Sequence, residues 1–542
     1  MSLSFSPWAS VSLLLSELVL IRGSAAPPLN FRAMQLEKVK ISRRFLNDLI
    51  NNQGFRYQLN KSDERRCPKG PVVFLLSDRS NPWDGLAMMQ MASNLEYSPK
   101  LLVDHRSFLY AAIKDWYQPI DWNDSIETQI SGCIEEDTAF ILVLKHDDMA
   151  ARKRLLAMYS MGIPIVPVTI RSMSKLKQKT LNMMQFPGLT KPRPTSVIRL
   201  GRAYKPEVHQ SDKELQVELN MLFERMRAMN SATEIKGVEE QEKEIYKKEI
   251  AIPVQEKTLV KEIKDLDREN GFLFQQQEFR VYIASAWQIP NMMQEIGRMR
   301  EITFRQVEEG TGQAQDIDQY DLYYKQLIIW DAEAKKLVGG YRLGPGDEIM
   351  ESYGKKGFYL HSLFKIKNSF KPYLEKSLEL GRSYVVPEYQ RKRLPLFLLW
   401  KGILHFLLDN PQYKYLIGPL SISKHYSKVS RHLIVEFVKK YYFDTELGSM
   451  IKARKQFRFN PKNIDTQLLV ENFAGQLKRL DNFIEDIEPE HFRIPVLMKK
   501  YFGQNAQIIG FNLDPNFSDV LDGLMLLDLE NLPRETMENL KD

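Results

Sequence analysis

Residues 379–403 read ELGRSYVVPEYQRKRLPLFLLWKGI. Their order predicts a strand, a basic turn and a helix. The strand, SLELGRSYVV from Ser377, is rich in β-forming residues yet carries Glu379 and Arg382. The turn sets Gln390, Arg391, Lys392 and Arg393 side by side. Pro395 suits the first turn of a helix, which LFLLWKGILHFLL continues. A strand that feeds a helix through a basic turn is the local design of an anion cradle. N–H groups point out of the helix start, and the helix dipole favours negative charge there.

The flanks extend this pattern. Downstream, YKYLIGPLSIS (413–423) predicts a strand and 424–440 a helix. Upstream, IPNMMQEIGRMREITFRQV has the spacing of an amphipathic helix, while YYKQLIIWD and AKKLVGGYRLG form a hairpin candidate. The tail IPVLMKKYFGQNAQIIGFNLDPNFSDVLDGLMLLDLE completes the same domain, expected over 276–530. Before it, 231–275 is dense in mixed charge and reads as a solvated helical connector. Residues 29–230 alternate helix and strand, with strands expected at 71–77, 138–145, 163–170 and 196–206, and LEYSPKLLVD (95–104) leading into another. Residues 1–28 form an apolar N-terminal segment. Its Pro7–Ile21 run is too short for a confident membrane span and is expected to lie at an interface or pack.

Composition narrows the function classes. The chain has 542 residues, enough for two or three domains, and 43% of them are hydrophobic. Lys and Arg number 76 against 69 Asp and Glu, an excess too small and too dispersed for nucleic acid. The two cysteines, Cys67 and Cys133, lie far apart, so neither a disulfide framework nor a metal site is indicated.

Within 276–530, carboxylates and arginines recur near predicted element ends: Arg300, Asp318, Asp321, Arg342, Glu379 and Arg382. Amide-forming acyl transfer needs a group to take the amine proton, N–H donors for the oxyanion and a donor-rich turn for the carrier phosphate. In order, RMREITF, DIDQYD, GGYRLG and ELGRSYV resemble acyl-homoserine-lactone synthases. With YLIGPLSISKHYS and the 494–530 tail, the region resembles more closely the ornithine-lipid N-acyltransferases, often labelled putative hemolysins, which are GNAT-like. That resemblance implies a mixed, mostly antiparallel sheet and transfer of a (3-hydroxy)acyl group from acyl carrier protein to the amine of an amino acid. Glu379 would be the base or amine-orienting group, with Arg382 ordering the strand or meeting the substrate carboxylate. Arg300, Phe304, Asp318, Asp321 and Arg342 would shape the substrate pocket. Gln390, Arg391, Lys392 and Arg393 would hold the phosphopantetheine. The glycine-bearing turn of acetyl-CoA-binding GNAT enzymes is absent from QRKRLPL, which weighs against acetyl-CoA. A Glu379–Arg382 pair serving architecture alone is the competing reading.

Residues 29–230 resemble the lysophospholipid acyltransferases, whose HxxxxD motif activates a hydroxyl. Asp84 occupies the Asp position, but Arg79 stands where the His belongs, and an arginine is no base at neutral pH. The resemblance implies a glycerolipid-acyltransferase-like α/β domain with a degenerate site, its residual O-acyltransferase activity left open. The expected whole is a cytoplasmic enzyme peripheral to the inner face of the membrane, with acyl carrier protein and an amino acid as partners and no tightly bound cofactor. Two alternatives stand beside it: a non-catalytic membrane-surface scaffold and an acetyl-CoA-dependent N-acetyltransferase.

Overall fold

Apolar runs bounded by polar turns become strands in both halves of the chain. The computed structural model describes residues 56–77, 82–104 and 117–120, parts of 131–172, then 195–205, 212–232 and, with few breaks, 248–533. The chain divides into two compact units, Met1–Asn230 and Ser231–Asp542.

The first unit contains β1 (Arg56–Leu59), β2 (Val72–Ser77), β3 (Ser98–Asp104), β4 (Tyr117–Ile120), β5 (Thr138–Leu144), β6 (Ile165–Ser172) and β7 (Thr195–Leu200). They form one sheet in the order β1-β7-β6-β2-β5-β3-β4. Only β6 and β7 run antiparallel. Val72, Phe74 and Leu76 enter one core, Val73 and Leu75 another, so β2 is buried on both faces, as its unbroken apolar run requires. Strands β1 and β4, four residues each, are too short to show a pattern and are absent from the sequence-based expectation. Arg79 and the segment 1–28 lie outside the described residues, as does the side chain of Asp84 in helix Pro82–Asn94.

The second unit adds β8 (Phe272–Gln276), β9 (Phe279–Ser285), β10 (Lys325–Asp331), β11 (Lys336–Pro345), β12 (Phe364–Ile366), β13 (Ser377–Val385), β14 (Tyr415–Ile422), β15 (Ile451–Ala453), β16 (Gln507–Asp514) and β17 (Val520–Asp528). Eight of these make a sheet in the order β16-β17-β14-β13-β11-β10-β9-β8, and β12 pairs with β15 apart from it. The expected hairpin is β10–β11. All pairs in the large sheet are antiparallel except β13 with β14, so the sheet is mixed and mostly antiparallel, as expected.

Two boundaries shift. The expected connector, 231–275, falls within this unit. Helix Glu256–Arg268 buries Leu259, Ile263 and Leu266 on one face, and β8 begins at Phe272. The mixed charge there is the solvent face of an amphipathic helix. The helix expected from residue 424 is Lys428–Tyr441, because the Ser427 hydroxyl accepts from the Ser430 N–H at 3.2 Å and caps it. Among the described residues no helix is long and apolar enough to cross a membrane.

The parallel pair is the feature that positions a site. β13 and β14 are in register only from Ser377–Tyr415 to Glu379–Ile417. Beyond that point β13 follows β11 and β14 follows β17, and the two strands part. A Cβ at Gly418 would stand 2.2 Å from the Leu380 carbonyl oxygen, so glycine is required where the strands last touch. Between them the chain crosses in helix Leu394–Asp409. This helix covers the face that carries Leu327, whose methyls approach Gly402.

Candidate active site

Strand alternation collects the polar residues on the other face. Gln326 of β10 pairs with Arg342 of β11, which pairs with Gly381 of β13. Gly344 pairs with Glu379, and Glu379 with Ile417. Two and four residues further along these strands, the same face carries Ser421 of β14, which pairs with Asp522 of β17. The opening between β13 and β14 therefore divides Arg342 and Gly381 from Ser421 and Asp522.

Three arginines and three aspartates meet on the β13 side. Arg300, from helix Pro290–Arg305, donates through Nε to Asp316 at 3.2 Å and through both Nη atoms to Asp321 at 2.9 and 3.3 Å. Arg342 Nη1 donates to Asp318 at 2.6 Å and lies 3.4 Å from Asp321. Arg382 Nε donates to Asp316 at 2.8 Å, and its Nη2 reaches Asp318 at 3.4 Å. The formal charges balance, as burial demands. Burial alone would raise the Asp321 carboxyl, but Arg300 and Arg342 outweigh it and hold it well below the usual carboxylate range. Asp318 and Asp321 also cap the turn Gln319–Leu322, so the turn-capping and network roles coexist.

Arg382 sits in a bulge. The β11–β13 register slips between Gly340–Tyr384 and Arg342–Gly381, and Arg382 has a left-handed φ of 51°. A non-glycine residue there is strained by about 1 kcal/mol or more. It is held by its two aspartates and stacks 5.1 Å from the Tyr359 ring and 4.9 Å from Phe517. Phe304 meets Phe517 edge to face at 5.5 Å, which joins it to the same cluster.

Glu379 and Arg382 do not pair. Glu379, 1% exposed, accepts from the Tyr324 hydroxyl, from the Tyr359 N–H at 3.1 Å and from the Leu360 N–H at 2.8 Å. Burial raises its carboxyl to about 7 against the opposing pull of these hydrogen bonds and of Arg342. Its oxygens are thus taken up in tying Tyr324 and the Tyr359–Leu360 turn to β13.

The basic turn is separate from this cluster. Gln390, Arg391, Lys392 and Arg393 are exposed at the start of helix Leu394–Asp409. The Gln390 amide donates to the Val385 carbonyl at 3.0 Å, closing the turn on the end of β13. Lys392 lies 3.8 Å from Glu278 and over Tyr389, whereas Arg391 and Arg393 pair with no carboxylate among the described residues. Beside that helix a cavity of about 280 Å³ is lined by Tyr341, Leu396, Phe397, Trp400, Leu497 and Tyr501. Tyr341 alternates with Arg342, so the cavity lies on the opposite face of the sheet.

Three further carboxylates, not singled out from the sequence, belong to the site. Asp316 joins Arg300 to Arg382. Asp514 accepts from the Tyr359 hydroxyl at 2.8 Å, and Asp522, 2% exposed, from the Ser421 hydroxyl at 2.8 Å. Burial first, then Asp514 and Glu309, push the Asp522 carboxyl up to about 8. The signal was present in VLDGLMLL, where an aspartate interrupts an apolar strand.

The family model described as the acetyltransferase (GNAT) domain matches residues 299–400, from Arg300 through the basic turn. The glycine N(alpha)-acyltransferase of Phocaeicola vulgatus is 30% identical over 297 residues, 52% of this chain and 90% of that protein. The enzyme of that name from Bacteroides thetaiotaomicron is 30% identical over 266 residues, 47% of this chain and 78% of its own. The L-ornithine N(alpha)-acyltransferase of Rhizobium meliloti is 39% identical over 93 residues, 16% of this chain and 30% of its own. Among solved structures, a CoA-dependent acyl-homoserine lactone synthase aligns at 13% identity over 42% of this chain and 67% of its own, with a TM-score of 0.20 that carries no argument. With nine-tenths of a relative covered at 30% identity, the chain belongs to the GNAT-like aminolipid N-acyltransferase family.

Proposed function

We propose that this N-acyltransferase moves a (3-hydroxy)acyl group from the phosphopantetheine of acyl carrier protein to the α-amine of a free amino acid, glycine or ornithine. The observation that carries this reading is the parting of β13 from β14 beside a turn with two arginines that pair with no carboxylate among the described residues. A phosphopantetheine arm held at Arg391, Arg393 and the helix start can pass its thioester into the opening. The amine nitrogen attacks the thioester carbonyl, the C–N bond forms and the C–S bond breaks. The amine gives up a proton and the pantetheine leaves as a thiol. The backbone of β13 that leaves the β14 ladder is where an oxyanion would find N–H donors. Glu379 serves as an orienting group, acting through Tyr324 and Tyr359, because its oxygens are already engaged.

The acyl tail is assigned to the cavity of about 280 Å³ on the opposite face, with the exposed Phe397 and Val496 near its mouth suited to the cytoplasmic face of a membrane. The first unit, with Arg79 in place of a base, is assigned a supporting or membrane-docking role rather than O-acylation.

Purified chain incubated with (3-hydroxy)acyl-carrier protein or acyl-CoA, and with glycine or ornithine, is expected to give an amide-linked acyl amino acid by mass spectrometry, faster from the carrier protein. Absence of amide product from every donor would overturn the reading. Equal rates from CoA would move the basic turn's ligand to a nucleotide. A product with a second, ester-linked chain would restore O-acylation to the first unit.

A further inference from the structure

Arg342 is 1% exposed, and only one of its three guanidinium nitrogens is satisfied. Nε and Nη2 are buried and have no hydrogen-bond partner among the described residues. Leaving such buried donors unmet is unfavourable, and a guanidinium is rigid enough to aim both at one acceptor. They face a small opening. A Cβ built on Gly381 would meet only these two nitrogens, Nε at 3.8 Å and Nη2 at 3.9 Å, with nothing else within 4 Å. The walls are aromatic: the Arg342 Cζ lies 5.4–5.5 Å from the rings of Tyr320, Tyr324 and Tyr359. A planar anion of carboxylate size fits that description.

Across the gap stand two carboxyl groups, Asp514 and Asp522. The Tyr359 hydroxyl reaches Asp514, and Asp522 stands on the same sheet face as Arg342. Asp522 forms no salt bridge among the described residues, with Arg382 acting on it only from a distance; its hydrogen bond comes from Ser421. An α-amino acid carries its anion and its ammonium on one carbon, the polarity these two edges present.

Resting on the proposed N-acyl transfer, we infer that the acceptor amino acid binds across the parting of β13 and β14, its carboxylate on the free N–H groups of Arg342 above Gly381 and its amine turned toward Asp522. Asp522 then takes the proton that the amine loses as the amide forms. Burial first, with Asp514 and Glu309, raises its carboxyl to about 8 against Ser421 and Arg382, so the ionised fraction is basic enough to take the amine's proton and that fraction grows as pH rises through 8. The site selects for a free α-carboxylate and leaves the acceptor side chain to secondary contacts.

Isothermal titration of glycine, ornithine and glycinamide into the full chain reads this site without turnover. Both amino acids should bind, and glycinamide should bind at least about tenfold more weakly, the worth of a charge-assisted pair. Gly381→Ala fills the opening without a close contact, so it should weaken amino-acid binding by a similar factor while the melting temperature and circular dichroism spectrum hold. Asp522→Asn should lower kcat at neutral pH at least about tenfold and flatten its pH profile, with KM for the carrier substrate unchanged. Equal binding of glycine and glycinamide, no amino-acid binding, or an unchanged Gly381→Ala affinity overturns the carboxylate site. A wild-type kcat in Asp522→Asn overturns the amine end. An enzyme that binds amino acids at this site yet forms no amide from any donor sinks the proposed function and leaves the site standing.

Discussion

Replacing Glu379 by Gln tests the meaning of the buried carboxylate through its pH dependence. Two donors converge on Oε2, the Tyr324 hydroxyl and the Tyr359 N–H, and one on Oε1, the Leu360 N–H. A Gln that keeps its oxygen at Oε2 turns its amide nitrogen on the Leu360 N–H. One buried donor is then unsatisfied, at about 1–3 kcal/mol. The wild type, however, carries a cost that Gln does not. Its carboxyl is raised from 4.5 to about 7, so the folded state holds its proton through a range in which the unfolded chain has lost it. The sign follows: this stabilisation is complete below 4.5 and is lost as pH rises through 7. Between pH 5 and pH 8 the wild type loses about 2–3 kcal/mol from this group, and the variant, which cannot titrate, loses none of it. The variant should therefore be less stable than wild type by about 1–3 kcal/mol at pH 5 and equal to it or more stable at pH 8. Urea denaturation at both pH values, followed on the second unit, gives the difference. At roughly 2 °C per kcal/mol the crossing also appears in melting temperature. A difference independent of pH, or one that grows against the variant as pH rises, would refute the assignment of a buried, partly protonated Glu379.

Asp321→Asn removes the carboxylate that both Nη atoms of Arg300 hold and leaves a buried cation short of its partner. A loss of about 3–5 kcal/mol in denaturant-measured stability is expected, and a loss below 1 kcal/mol would show that Asp316 suffices. Arg391→Ala combined with Arg393→Ala should raise KM for the acyl-carrier substrate about tenfold while KM for the amino acid holds. Because these side chains are exposed, the difference should shrink as salt is raised; equal effects on both substrates would place the turn outside carrier recognition.

The elements of the second unit were legible because their patterns are local. The apolar run from Pro395 and the spacing of IPNMMQEIGRMREITF admit few other structures, and helices Leu394–Asp409 and Pro290–Arg305 follow. What could not be read was partnership. That Arg382 turns to Asp316 and Asp318 instead of Glu379 depends on a bulge that reverses its φ, and a bulge is set by the register of strands far apart in sequence. Nor does any local signal tell that β13 and β14 separate after Glu379. That follows from the independent commitments of β13 to β11 and of β14 to β17. Asp522 was hidden for a related reason: a strand as apolar as VLDGLMLL reads as core, and the chemistry of its one carboxylate appears only when Ser421 is placed beside it.

Arg342 shows how stability and function divide within this cluster. A six-member network with zero net charge could close on itself, and Arg300 does so, with every nitrogen bonded. Arg342 gives one nitrogen to Asp318 and leaves two, set among aromatic rings, with no partner among the described residues, an arrangement that disfavours folding by about 1–3 kcal/mol for each donor left unmet. Glutamine or methionine at that position would remove the unmet donors but leave Asp318 and Asp321 a cation short, so charge balance accounts for the arginine and a ligand for its two free donors. A ligand carboxylate meeting both donors recovers that energy on binding. The protein has already fixed the guanidinium between Asp318 and the tyrosines, so little ordering remains to oppose the gain. Arg382 and Arg342 thus belong together: the bonds of Arg382 to Asp316 and Asp318 fix the bulge beside the strand opening, and the unmet donors of Arg342 make that opening selective for an anion.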